Sequence, residues 1–112
     1  MKLDPDLIKK ILIAYEELPY GGGEEIEFDG YTENQVNAHQ ELLMDGGYIK
    51  ATKEVWINDK VVISPESITL DGHELLKKLR NDTVFKKVLS FLKPLGPIAL
   101  KAGFEALLKS LQ

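Results

Sequence analysis

The chain contains no cysteine. That absence removes disulfide staples, thiolate nucleophiles and the commonest soft metal ligand together. Histidine is also scarce, with only His39 and His73 in 112 residues. A zinc site takes three or four protein ligands, so two histidines without cysteine make an unpromising start. Long apolar runs are missing, and none approaches the about 20 residues of a membrane-spanning helix. The first residues, MKLDPD, put acids where an export signal would have an apolar stretch. These absences point to the reducing cytoplasm, with no membrane span, no cofactor and no metal.

Basic charge is scarce at the front of the chain. Residues 1–47 hold 3 Lys against 11 Asp and Glu, residues 48–81 hold 6 basic against 5 acidic side chains, and residues 82–112 hold 5 against 2. The net charge of −4 is therefore a polarised one, acidic in front and mildly basic behind. An acidic surface repels phosphates within a screening length of about 8 Å at physiological salt. No Ser-His-acid set or specific carboxylate pair can be assembled, so the residues do not suggest an enzyme. Gly21-Gly22-Gly23 follows a helix and precedes a strand signal, the reverse of a phosphate-cradling loop.

What is there reads as one small domain, since single domains commonly run about 100–150 residues. Asp4-Pro5 starts a helix, and Leu7, Ile8, Ile11, Leu12 and Tyr15 carry its apolar stripe to about Leu18. Glu24 to Phe28 alternates and predicts a short strand. Thr32 with Gln35 is a capping-box signature for a second helix, striped by Val36, His39, Leu42 and Leu43. Tyr48 to Ile57 and Lys60 to Leu70 predict a hairpin around Asn58-Asp59. A two-residue loop there sets Ile49 opposite Ile68 and Trp56 opposite Val61. Pro65 cannot donate to a ladder, so the hairpin should be frayed or bulged near Thr52. A third helix over about Asp71 to Arg80 and a fourth capped by Asp82 or Thr83 follow. Pro94, Gly96 and Pro97 precede a last, amphipathic helix.

The order helix, short strand, helix, long hairpin, helix resembles a winged helix-turn-helix. VNAHQELLMDGGYI (Val36 to Ile49) is similar to a recognition helix running through glycine into a wing. ITLDGHELL (Ile68 to Leu76) is similar to the return from the wing into the next helix. The whole chain resembles an uncharacterised bacterial and prophage family, domain of unknown function 2513. The likeness rests on MKLDPDLIKKIL, EFDGYTENQVNAHQELLMDGGYI and LDGHELLKKLRNDTVFKKV. The expected fold class is α+β, mainly helical and winged-helix-like, with two additional C-terminal helices. Residues 1–93 would form the winged-helix-like domain including its fourth helix. Residues 94–112 would form a C-terminal amphipathic helix, packed on that domain or used for association. The resemblance implies no activity and no site residue.

Two functions compete. One is a non-enzymatic interaction module that meets a protein partner or a second copy of itself. The other is a DNA-binding regulator. In a helix-turn-helix a first helix braces the recognition helix in the major groove. Between Leu18 and Thr32 stand only about a dozen residues, with a run of three glycines and a strand signal, so that brace is expected to be missing or replaced by strand. The helix after Thr32 offers Asn34, Gln35, Asn37 and Gln40 as base readers. It carries no Lys or Arg and three acids, Glu33, Glu41 and Asp45. Any nucleic-acid contact would fall instead to Lys50, Lys53 and Lys60 on the hairpin with Lys77 and Arg80 beyond it. His39 reads as a core histidine with a backbone hydrogen bond, and His73 as an interior or rim residue seating the third helix. On the last helix Leu100, Phe104, Leu107, Leu108 and Leu111 form one apolar face. Ala99, Ala102, Gly103, Ala106 and Ser110 add small residues that permit close helix approach. That face needs cover, from the core, from a partner or second copy, or from a membrane surface.

Overall fold

The computed structural model describes all residues, Met1 to Gln112. Five α-helices surround one two-stranded antiparallel hairpin, an α+β arrangement: α1 (Pro5–Glu16), α2 (Glu33–Asp45), β1 (Ile49–Val55), β2 (Val61–Ile68), α3 (Leu70–Arg80), α4 (Asp82–Leu92) and α5 (Leu100–Ser110). A 3-10 turn at Lys93–Leu95 separates α4 from α5.

Local chemistry fixes most boundaries. The Asp4 carboxylate accepts from the amides of Asp6 and Leu7, with Pro5 at the first helical position of α1. Thr32 and Gln35 close the capping box of α2 reciprocally. Thr69 caps α3 through the Gly72 amide. The cap of α4 is Asn81, not Asp82 or Thr83, its side chain accepting from the Val84 amide at 3.1 Å. Because Asn81 also ends α3, the two helices meet at a single extended residue.

The strand expected over Glu24–Phe28 is not formed, and the sheet has two strands only. A third strand would need reciprocal bonds along β2. The Gly23 amide does reach the Pro65 carbonyl at 3.1 Å, but Pro65 has no N–H to return. Ile26 and Phe28 instead lean on the core from an irregular segment.

The hairpin turn also differs from expectation. The Trp56 amide donates to the Lys60 carbonyl, and the Asp59 amide donates to the Trp56 carbonyl. Asp59 stands at φ 63°, which makes Ile57, Asn58 and Asp59 a three-residue loop with a left-handed last residue. Val61 consequently pairs with Val55 rather than with Trp56. The register is restored by a bulge between Lys50 and Ala51, where Pro65 faces Ala51 and Ser67 faces Lys50, leaving Glu66 as the extra residue. Ile49 therefore meets Ile68 as expected, and the irregularity falls just short of Thr52.

The core gathers Leu7, Ile8, Ile11, Leu12 and Tyr15 of α1 with Val36 and Leu43 of α2, Leu75, Leu76 and Leu79 of α3, Val88 of α4, and Phe104 and Leu107 of α5. Gly72 lies where a Cβ would strike the Tyr48 carbonyl and the Ile68 side chain. The glycine of the LDGHELL block thus lets α3 start hard against the strand it follows. Gly103 does the same for α5, since a Cβ there would fall 2.7 Å from Leu3 Cβ. The Leu3 amide donates to the Ile98 carbonyl at 3.1 Å, and Lys2 bridges to Ala99.

Candidate functional site

The amide side chains of α2 are largely turned away from solvent. Gln40 is buried and accepts from the Tyr15 hydroxyl at 2.7 Å. Its amide reaches Asn37, and Asn37 donates to the Val61 carbonyl at 3.4 Å. Tyr15, Gln40 and Asn37 thereby form a polar thread from α1 through α2 into the hairpin. Burial, with the Glu66 carboxylate adding to it, pushes the Tyr15 hydroxyl well above its usual range, so it stays a neutral donor. Gln35 is occupied in the capping box. Of the four expected base readers only Asn34 is left on the surface and uncommitted.

His39 is buried in the core. Its Nδ1 sits 2.8 Å from the Gln35 carbonyl, and its Nε2 accepts the Asp4 amide at 3.0 Å. The ring is therefore neutral, with its proton on Nδ1. His73 lies at the rim, about half exposed, with Nδ1 3.6 Å from Glu16.

The basic residues expected at a nucleic-acid face lie on the hairpin (Lys50 and Lys53 on β1, Lys60 at the turn) and on α3 (Lys77 and Arg80). Lys50, Lys53, Lys60, Lys77 and Arg80 are all exposed. Lys53 is paired with Glu41 of α2, and Arg80 with Glu16 of α1 at 2.7 Å. Lys60 stands over the Trp56 ring, 5.5 Å from its centroid.

The apolar face of α5 closes the core from within. Phe104 and Leu107 are buried, and Leu100, Leu108 and Leu111 are half-buried against the same cluster. Phe104 meets Tyr48 edge to face with centroids 5.5 Å apart. The small residue Gly103 serves close approach to Leu3 within the chain.

Exposed large apolar side chains lie elsewhere, singly at positions such as Tyr20, Leu70, Leu89, Phe91 and Leu95, and as a run at the hairpin tip. Val55, Trp56 and Ile57 are consecutive at the hairpin tip; Trp56 is 50% exposed and Ile57 fully so. Sequence reading missed them as a site because it assigned all three to a strand. Their signal was that three consecutive large apolar residues cannot all point to one side of a strand. Beside the tip, a groove of about 380 Å³ runs between the irregular segment, α2 and the hairpin. Ile26, Phe28 and Val36 contribute apolar surface to it, Glu25, Glu27, Asp29 and Glu33 make it acidic, and Lys60 is its only basic residue. No cluster of three or more His, Asp or Glu is placed to hold a metal ion.

Residues 2–97 match the family described as hypothetical protein (DUF2513). The chain belongs to that family. A DUF2513 match of this span takes in α1 through the 3-10 turn and stops short of α5. The chain is also 35% identical over 95 residues to an uncharacterized protein of Haemophilus influenzae, covering 83% of this chain and 80% of the relative. No solved structure matches it. No helix is long and apolar enough to cross a membrane.

Proposed function

We propose that this DUF2513 protein is a non-enzymatic, cytoplasmic protein-interaction module of winged-helix-like layout, and that its contact surface is the hairpin tip. The reading is carried by the exposure of Val55, Trp56 and Ile57 together. Contiguous apolar side chains left in water mark contact sites, and tryptophan is among the residues that dominate interface energetics. The polar thread from Tyr15 to Val61 supports it by holding the hairpin in one orientation.

A groove-reading role in DNA binding has less behind it. Two of four candidate reading amides are buried, and a third is used in a cap. Two of five candidate phosphate contacts are already paired with carboxylates of the same chain. Phosphate contacts supply essentially all non-specific affinity for DNA.

A photo-crosslinking residue in place of Ile57 tests the proposal in cells. A discrete protein adduct is expected, absent when the same probe replaces exposed Glu17. Adducts to nucleic acid alone, or none, overturn it.

A further inference from the structure

The charge of the chain is segregated in a way that the fold preserves. Residues 11–49 hold nine carboxylates and no Lys or Arg. Residues 83–104 hold Lys86, Lys87, Lys93 and Lys101 and no acid. All four of these lysines are exposed and none is in an ion pair. The groove carboxylates Glu25, Glu27, Asp29 and Glu33 are likewise unpaired.

Each charged surface also carries bare apolar side chains. The acidic groove adjoins Val55, Trp56 and Ile57 through Lys60, which touches both. On α4, Val88 and Leu92 face the core, while Leu89 and Phe91 are each more than 40% exposed. Helical spacing sets Lys86, Lys87, Ser90 and Lys93 on the outward half of α4, with Leu89 at one edge and Phe91 at the other. Leu95, just beyond, is about half exposed too. The hairpin packs on α1 and α2, whereas α4 packs on α3 and α5. The two surfaces thus belong to different flanks of the molecule.

We infer that the hairpin tip and its acidic groove take the lysine-rich outer face of α4 from a second copy of the chain, in a head-to-tail contact. The inference rests on the reading of the tip as a contact surface and adds the occupant. The complement that the tip requires, cationic with apolar edges, is present on the same molecule. Because the two patches differ, the contact is heterologous, and each copy that joins leaves one tip and one α4 face free.

Sedimentation and light scattering test this. At about 0.01 M salt, where charges act over about 30 Å, the mass is expected to rise with concentration beyond that of a dimer, and to fall toward the monomer at about 1 M, where they act over about 3 Å. Trp56→Ala, and separately the triple change Lys86→Glu, Lys87→Glu, Lys93→Glu, should each give a monomer with an unaltered circular dichroism spectrum. Mixed in equal amounts, these two variants should form a one-to-one heterodimer and nothing larger, because each retains one half of the contact. Ile57→Ser and the pair Glu27→Gln, Glu33→Gln should behave as Trp56→Ala does. A wild-type chain that stays monomeric at every salt and concentration overturns the inference, as does association that survives both sets of changes. If that monomer still gives a host-protein adduct from position 57, the self-association falls while the tip stands as a contact surface.

Discussion

Both ring nitrogens of His39 are committed, one as donor to the Gln35 carbonyl and one as acceptor for the Asp4 amide. A second proton would have to displace the Asp4 amide, at the residue that caps α1. Burial holds the His39 pKa below its usual value, against the opposing pull of the Gln35 carbonyl and the Asp4 carboxylate. The unfolded chain therefore binds a proton before the folded one does, and stability is lost as the pH drops below about 6.5 toward the lower folded value. Denaturant melts between pH 8 and pH 5 should show this fall. His39→Gln should be less stable at pH 8 and flatter across the range, and an unchanged slope would assign the titration to another group. The position of His39 between Val36 and Leu43 was enough to place it inside. Its partner at Asp4 was not legible, because the two are 35 residues apart and no periodicity links them. Asn37 and Gln40 were misread for a related reason: an amide looks the same in sequence whether it meets a base or a buried tyrosine.

The hairpin shows how far an element can be read from its residues. Its two arms were evident from their β-branched and aromatic content, and Asn58-Asp59 marked the turn. Loop length was not evident, because it depends on which residue adopts the left-handed conformation. Asp59 does so, at a cost that glycine would not incur. Asp59→Gly is expected to raise stability by less than about 1 kcal/mol, read as a small upward shift in melting temperature with the tip register retained. A drop would mean that the Asp59 side chain contributes more than its backbone costs. The Glu24–Phe28 segment was misread because alternation reports which side chains are apolar and not whether a partner edge is free. Pro65, which the sequence does show, is the residue that closes that edge.

At the scale of the molecule, the amphipathic pattern of α5 established that its apolar face needs cover, and periodicity could not say whether the cover is the core or a second copy. Gly103 packs against Leu3 of the same chain, while Leu100, Leu108 and Leu111 of that face stay half-buried. Leu107 is fully buried at that junction. Leu107→Ala should cost about 2–5 kcal/mol in global stability, measured by denaturant unfolding. A loss below about 1 kcal/mol would mean that α5 docks without supporting the core. The polarity of charge was legible from the first count, and folding keeps it: among the lysines and arginines beyond residue 48, only Lys53 and Arg80 form ion pairs with carboxylates of the first half.

The clasp between Leu3 and Ile98 also bears on how the protein is made. Leu3 leaves the ribosome well before Ile98, at about 5–20 residues per second, so its amide waits for the carbonyl that receives it and its side chain for the helix that shelters it. Until then Leu3 stays uncovered, just ahead of an α1 that packs against α2, β2 and α3. A pause or nick upstream of Ile98 would then leave the segment before α1 without its clasp.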